Sequence, residues 1–349
     1  MSTTLIFIIL LIVLLFFLRK FFKGGQCKSK HSMDGKVVIV TGASAGIGKE
    51  SALDLARHGA QVILACRNEK KTKKAMQSLN EEEKKLTQFI YCDLSDFNSI
   101  IEFADKVRKG YNKIDIIMNN AGLFPQNYVL TKDNMESFLQ GNFVGHVLLT
   151  FLLFDMLDKN DARIINLSSL AHYSSDFKNE LNIEEMYDLS KTEKKYFQNL
   201  AGKGVLYGNT KLLMIYFSKF LEKLCEEKYN YIKSAAVHPG GVDTEFMRFI
   251  DTENNFYIKL LFRIASPTIK FFFKTPVDGA QTQLNLCYIP FNEFVSGGYY
   301  SDCKITKVAS FANDMEKCME CMKLTINEIK NRFPETKIFD ILEGKFEKK

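Results

Sequence analysis

Four apolar residues, Val37-Val38-Ile39-Val40, run directly into Thr41-Gly42-Ala43-Ser44-Ala45-Gly46-Ile47-Gly48 and then into a helix-compatible stretch that reaches His58. A strand that enters a helix through spaced glycines leaves the backbone few alternatives. The glycines permit a tight turn and a close approach to a pyrophosphate, while the first amides and positive end of the helix face the anion. Gly42, Ser44, Ala45, Gly46, Ile47 and Gly48 are therefore candidate phosphate-binding residues. Their place between strand and helix carries this reading, because the glycine string alone is weak.

The same alternation continues down the chain. Apolar runs at Val37–Val40, Gln61–Ala65, Gln88–Cys92, Ile114–Met118, Arg163–Leu167 and Lys233–Val237 are separated by longer amphipathic stretches, which is the pattern of repeated βαβ units. Connection rules then give an α/β fold with a doubly wound parallel sheet of Rossmann type. With no repeat or low-complexity linker, residues 35–349 read as one domain. Hydrophobic residues at 46% and charged residues at 25% exclude a disordered chain. Eight scattered cysteines show no disulfide framework.

Residues 1–30 are different. Leu5 to Leu18 is an unbroken run of fourteen apolar residues, followed by Arg19, Lys20, Lys23, Lys28 and Lys30 with no acidic residue. A cleaved signal has its positive charges before the apolar run; here they follow it, so the segment reads as an uncleaved membrane-anchor helix with a basic flank. The positive-inside rule keeps the catalytic domain on the cytoplasmic side, with the endoplasmic reticulum as the expected membrane. These charges supply five of the net +6. The remainder is nearly neutral, which argues against nucleic acid as a partner.

The end of the second strand bears on the choice of dinucleotide. It carries Cys66 and Arg67 and no carboxylate, so Arg67 can pair with a 2′-phosphate, which favours NADP(H) over NAD. Asp93-Leu94 follows the third strand, where it would contact adenine; Asp93 could equally cap the next helix.

Thr41–Gly48, Asn119-Asn120-Ala121-Gly122 after the fourth strand and Tyr207-Gly-Asn-Thr-Lys211 in a later helix together resemble the short-chain dehydrogenase/reductase family. Ala65-Cys66-Arg67-Asn68, Asn142-Phe-Val-Gly-His146, Asn166–His172, Val237-His-Pro-Gly240, Asp278–Thr282 and Ser301-Asp-Cys303 are similar to its retinol dehydrogenase branch. The resemblance implies hydride transfer between nicotinamide and a carbonyl carbon, with a proton exchanged at the oxygen. It makes Tyr207 the acid–base group and Lys211 the holder of the nicotinamide ribose. At i, i+4 the two share a helix face, where Lys211 is expected to lower the phenol's pKa. Ser169 matches the serine that donates to the substrate oxygen, with Ser168 its close competitor, and Asn142 would hold an ordered water in a proton relay. Asn120, Ala121, Gly122, Pro239 and Gly240 complete the expected cofactor contacts.

Other candidates need weighing. Tyr187-Asp-Leu-Ser-Lys191 has the same Tyr-x-x-x-Lys spacing, but Thr-Glu-Lys-Lys follows it, whereas Tyr207 and Lys211 precede an apolar helix. The Glu- and Lys-rich stretch between Ser169 and Tyr207 reads as a solvated loop or a cover over part of the site. Cys318-Met-Glu-Cys321 lacks a second ligand pair, so no metal is expected. His146, His172 and His238 read as structural. Phe256 to Lys274, interrupted by Pro267, reads as a membrane-facing substrate lid. The sequence thus points to a membrane-anchored, NADP(H)-dependent oxidoreductase for a lipophilic small molecule, with retinaldehyde and retinol the leading pair. Steroid or fatty-aldehyde reduction and a non-catalytic NADP-binding scaffold are the rivals. A homo-oligomer is compatible with this reading.

Overall fold

Each of the six apolar runs becomes a strand in the computed structural model, which describes residues 3–124, 127–178, 184–242 and 271–334, without the side chains at 3–6, 8, 9, 11, 178 and 184. The strands are β1 (Val37–Thr41), β2 (Gln61–Cys66), β3 (Thr87–Tyr91), β4 (Ile116–Asn119), β5 (Ala162–Leu167) and β6 (Ile232–His238). The sequence did not announce β7 (Tyr299–Ser301) or β8 (Lys304–Ile305). Sheet order is β3-β2-β1-β4-β5-β6-β7-β8, parallel throughout except for the antiparallel β7–β8 pair. The order reverses between β1 and β4, which makes the carboxyl ends of those strands the crevice of a doubly wound sheet.

The central strands β1 and β4 are buried along their whole length because both faces of the sheet are covered there. Val37 and Ile39 of β1 pack into one core cluster while Val38 and Val40 pack into the other, and Ile63 and Val62 of β2 divide in the same way. Helices α2 (Gly46–Arg57), α3 (Glu69–Ala75) and α7 (Pro276–Tyr288) contribute to the second cluster. Helices α4 (Phe97–Gly110), α5 (Gly145–Leu152), α6 (Leu200–Cys225) and α8 (Met315–Arg332) build the first. The 26-residue α6 carries its buried stretch from Leu206 onward against β5, β6 and α8.

Two sequence readings change. The stretch between Ser169 and Tyr207 is not a solvated loop in its described part: Met186 and Tyr196 are buried in the main core, and the Tyr196 hydroxyl donates to Asp176 at 3.0 Å. Its charged residues occupy the outward faces of short helices whose aromatic and apolar residues point inward.

The N-terminal segment forms α1 (Thr3–Lys23). Among the described residues, however, no helix is long and apolar enough to cross a membrane. Fourteen apolar residues at ~1.5 Å each extend ~21 Å, short of a hydrocarbon core of ~30 Å. Arg19, the first charge after that run, donates to the carbonyls of Phe271 and Phe273 at 2.8 and 2.7 Å. The lid region through residue 270 lies outside the described residues.

Candidate active site

The turn after β1 is shaped as its glycines suggest. Gly42 has φ +68 and Gly46 has φ +59, backbone conformations that strain any residue with a Cβ. A Cβ on Gly42 would also lie 3.0 Å from the Ala121 Cα, and one on Gly48 would collide with the Asn120 amide. The glycines thus let this turn sit directly on the Asn120–Gly122 segment beyond β4. Helix α2 begins after Ala45, which supplies no side-chain cap, and its first turn has no acidic residue. An uncapped, twelve-residue helix with its amino end in the crevice fits an anionic diphosphate.

Thr41 joins the two segments. Its Oγ1 accepts from the Asn120 and Ala121 amides, both at 2.9 Å, and lies 3.0 Å from His146 Nε2. His146 Nδ1 lies 3.2 Å from the Asn142 carbonyl. That carbonyl can only accept, so Nδ1 carries the proton and Nε2 accepts from Thr41. Complete burial holds the ring neutral, its pKa pushed down to about 3. Asn142 sits in a π-helical turn, Gln140–Val144, ahead of α5. Its side chain accepts from the Leu123 amide at 2.9 Å and donates to the Leu123 carbonyl at 2.8 Å, fixing the chain that follows Gly122.

Tyr207, Ser169 and Lys211 come together beyond the carboxyl end of β5. The Ser169 hydroxyl is hydrogen-bonded to that of Tyr207, and it accepts from the Ala171 amide at 3.1 Å. Ser168 is separated from this group: its Oγ is buried and donates to the Lys211 carbonyl at 2.7 Å. Gly208 lets α6 come close, since a Cβ there would lie 2.5 Å from the Ala171 carbonyl. His172 Nδ1 donates to the Ser169 carbonyl at 2.7 Å, while its Nε2 accepts from the Ala309 amide at 3.1 Å.

Electrostatics in the protein alone depart from expectation. Burial raises Tyr207 to about 12, opposed by the Ser169 hydrogen bond, and lowers Lys211 to about 8. Lys211 Nζ lies 5.5 Å from the Tyr207 ring centroid and donates to the Leu167 carbonyl at 2.9 Å. Desolvation penalises the ionised form of both groups, so in the protein alone the phenol is less acidic than an ordinary tyrosine.

The rival pair is placed elsewhere. Tyr187 is half-buried and its hydroxyl pairs with Thr325 of α8 at 2.8 Å. Lys191 lies near Glu185 and Asp188 on the surface, at 3.7 and 3.8 Å. Arg67 is half exposed at the end of β2, 3.8 Å from Asp93. Asp93 is not a helix cap: it accepts from the Ser95 amide at 2.9 Å, and Asp96 caps α4. Leu94 is buried, its carbonyl 2.4 Å from where a Gly145 Cβ would stand.

Gly240, with φ +91, and Pro239 follow β6. A Cβ on Gly240 would meet the Lys274 side chain at 2.7 Å. His238 accepts from the Leu170 amide at 3.3 Å. Cys318 and Cys321 are buried in α8, the first with its Sγ 3.2 Å from the Tyr216 carbonyl. The roles of Thr41 and Gly208 as brace and spacer were not legible beforehand, because each depends on a partner distant in sequence; the histidines, expected to be structural, find their particular partners only in the fold.

The family described as short chain dehydrogenase matches residues 36–179. Mouse retinol dehydrogenase 12 is 38% identical over 299 residues, covering 85% of this chain and 87% of the relative. Human retinol dehydrogenase 11 is 34% identical over 306 residues, covering 85% and 86%. Among solved structures, an uncharacterized protein from Mycobacterium paratuberculosis superposes with a TM-score of 0.64 at 24% identity, covering 88% of this chain and 98% of that one. A short chain dehydrogenase from Shigella flexneri complexed with NADP gives 0.55 at 22%, covering 79% and 100%. Together with the crevice geometry, these relatives establish that the chain belongs to the short-chain dehydrogenase/reductase family of oxidoreductases, in its retinol dehydrogenase-like branch.

Proposed function

We propose that this chain is a membrane-anchored, NADP(H)-dependent oxidoreductase that interconverts a lipophilic carbonyl and its alcohol, with retinaldehyde and retinol as the leading pair. The observation that carries the reading is the hydrogen-bonded Ser169–Tyr207 pair, with Lys211 one helical turn away, across the crevice from an uncapped helix amino terminus. The bound nicotinamide would supply the hydride acceptor or donor. Gly42, Ser44, Ala45, Gly46, Ile47 and Gly48 would hold the diphosphate through backbone amides. Asp93 and Leu94 would border the adenine, Asn120, Ala121 and Gly122 would border the ribose, and Pro239 and Gly240 would border the nicotinamide.

Ser169 would donate to the substrate oxygen, and Tyr207 would exchange the proton there. Moving Tyr207 from about 12 toward neutrality requires a nearby positive charge, which Lys211 supplies if its Nζ leaves the Leu167 carbonyl for the ribose hydroxyls. Asn142 would steady this arrangement through Leu123 and His146. An exposed Arg67 with no carboxylate at the end of β2 supports a 2′-phosphate. The apolar run of α1 and its basic flank support attachment to a cytoplasm-facing membrane surface, with the endoplasmic reticulum the expected one.

The test is turnover by detergent-solubilised full-length protein against retinoids, steroids and medium-chain aldehydes, with NADPH and with NADH. Tyr207→Phe should abolish turnover and preserve NADPH binding. Equal use of both dinucleotides would remove the NADP assignment. A steroid or fatty aldehyde preferred over retinaldehyde would change the substrate. Failure of every substrate with intact NADPH binding would favour a scaffold.

A further inference from the structure

We propose that α1 is not a free tether: its last turn is locked to segment 271–274, so that the catalytic body is held in one orientation against the bilayer and draws its substrate from lipid. The inference rests on the membrane-anchored reading above.

The half-buried Arg19 guanidinium donates from one nitrogen to the carbonyls of both Phe271 and Phe273. Two carbonyls on one guanidinium nitrogen define a direction as well as a contact. Beside them, the rings of Phe22 and Phe272 meet edge to face at 4.9 Å. The lock continues as the chain leaves the helix. Asp302 Oδ1 accepts from the Gly25 amide at 3.1 Å and from Lys274 Nζ at 2.5 Å, and Cys27 N donates to Gln281 Oε1 at 3.2 Å.

Lys274 is buried, and it ties this junction to the site. Its side chain fills the space beside Gly240, and its amide donates to the Gly241 carbonyl at 2.8 Å. The exit of α1 and the loop after β6 therefore brace the same lysine. On the outer side, Phe16, Phe17 and Phe21 of α1 are exposed, and so is Phe272 of the body. An apolar surface shared between a helix and the body it is locked to fits a lipid bilayer. A flexible tether would let the body tumble and meet substrate from water. A fixed one keeps the loop after β6 close to the lipid in which a lipophilic aldehyde partitions.

The test uses the full-length chain on phosphatidylcholine vesicles, with Arg19→Ala and, separately, Phe22→Ala, which removes the ring contact to Phe272. Both variants should still float with vesicles and should turn over a short water-soluble aldehyde as the parent does. The KM for retinaldehyde dissolved in the vesicles should rise about tenfold, because orientation toward a shared phase acts as effective concentration. An unchanged KM for the lipid-dissolved aldehyde overturns the proposal. So does an equal rise for the water-soluble one, which would mark a damaged crevice. Hydrogen–deuterium exchange on vesicles provides a readout that needs no turnover. Amides at 271–274 should exchange faster in Arg19→Ala, and unchanged exchange overturns the lock even if the enzyme reading itself fails.

Discussion

Lys211 is fully buried with a single recorded acceptor, the Leu167 carbonyl, and burial lowers its pKa from the ordinary 10.5 to about 8. The unfolded chain keeps this proton up to 10.5 while the folded chain releases it near 8. Between those values the unfolded state binds more protons, so folding stability should rise with pH. The gap corresponds to about 3 kcal/mol of destabilisation at pH 7, and about 1.3 kcal/mol of that is relieved by pH 9. Lys211→Met keeps the volume and removes the charge. Several buried thiols, Cys92 and Cys287 among them, are raised by burial and pull the other way as pH rises, but they are common to both proteins and cancel in the comparison. The lost bond to Leu167 shifts the whole difference by about 1 kcal/mol without giving it a slope. The chain has no Trp, so urea unfolding is best followed by far-ultraviolet circular dichroism at pH 7 and pH 9 in detergent without dinucleotide. The stability of Lys211→Met relative to the parent should fall by about 1.3 kcal/mol between the two pH values. A constant difference would mean that Lys211 keeps an ordinary pKa, and the account of a strongly desolvated site would be wrong.

Four further substitutions separate roles that sequence alone left tangled. Ser169→Ala should lower kcat about a hundredfold or more and cost about 1 kcal/mol through the lost cap on the Ala171 amide, whereas Ser168→Ala should retain turnover at a similar cost through its bond to the Lys211 carbonyl; steady-state kinetics on both decide between the neighbours. Tyr187→Phe should cost about 1 kcal/mol through its bond to Thr325 and leave kcat untouched, so a collapse in turnover would return that tyrosine to the active site. Arg67→Ala should raise the KM for NADPH about tenfold and leave that for NADH unchanged.

What could be read from the sequence was what depends on neighbours in sequence. Val37 to Val40 announced a strand because both faces are covered, and the glycines announced the turn because φ is a local property. Tyr207 and Lys211 share a helix face by spacing alone. Tyr187 and Lys191 share the same spacing; the charged residues that follow Lys191 already set that pair apart, and the bond of Tyr187 to Thr325, 138 residues away, shows where it sits instead. Thr41 and His146 are 105 residues apart, and Arg19 and Phe271 are 252 apart; nothing local marks either pair. β7 and β8 escaped notice because strands of three and two residues carry no periodicity. Their turn places Asp302 and Cys303 at φ +51 and +60, a hairpin geometry without the glycine that usually signals it.

The buried histidines complete the argument, because they separate acid sensitivity of the fold from that of the chemistry. Burial pushes His146 down to about 3 and His238 to about 4, and it lowers His172 as well. All three are neutral in the working range, and two of them use a ring N–H to hold the carbonyls of Asn142 and Ser169. None is placed to exchange a proton with substrate, so kcat/KM should show no titration near pH 6.5. The fold should respond instead. Below 6.5 the unfolded chain gains a proton at each ring that the native chain refuses, so stability falls as pH falls, by up to about 1.4 kcal/mol per pH unit for fully buried His146. His146→Gln should therefore flatten the decline in urea-unfolding stability between pH 6 and pH 5 while Tyr207-dependent turnover keeps its pH profile. A kinetic limb near 6.5 that vanishes in His146→Gln or His238→Gln would show instead that an imidazole carries the proton, and the tyrosine scheme would have to give way.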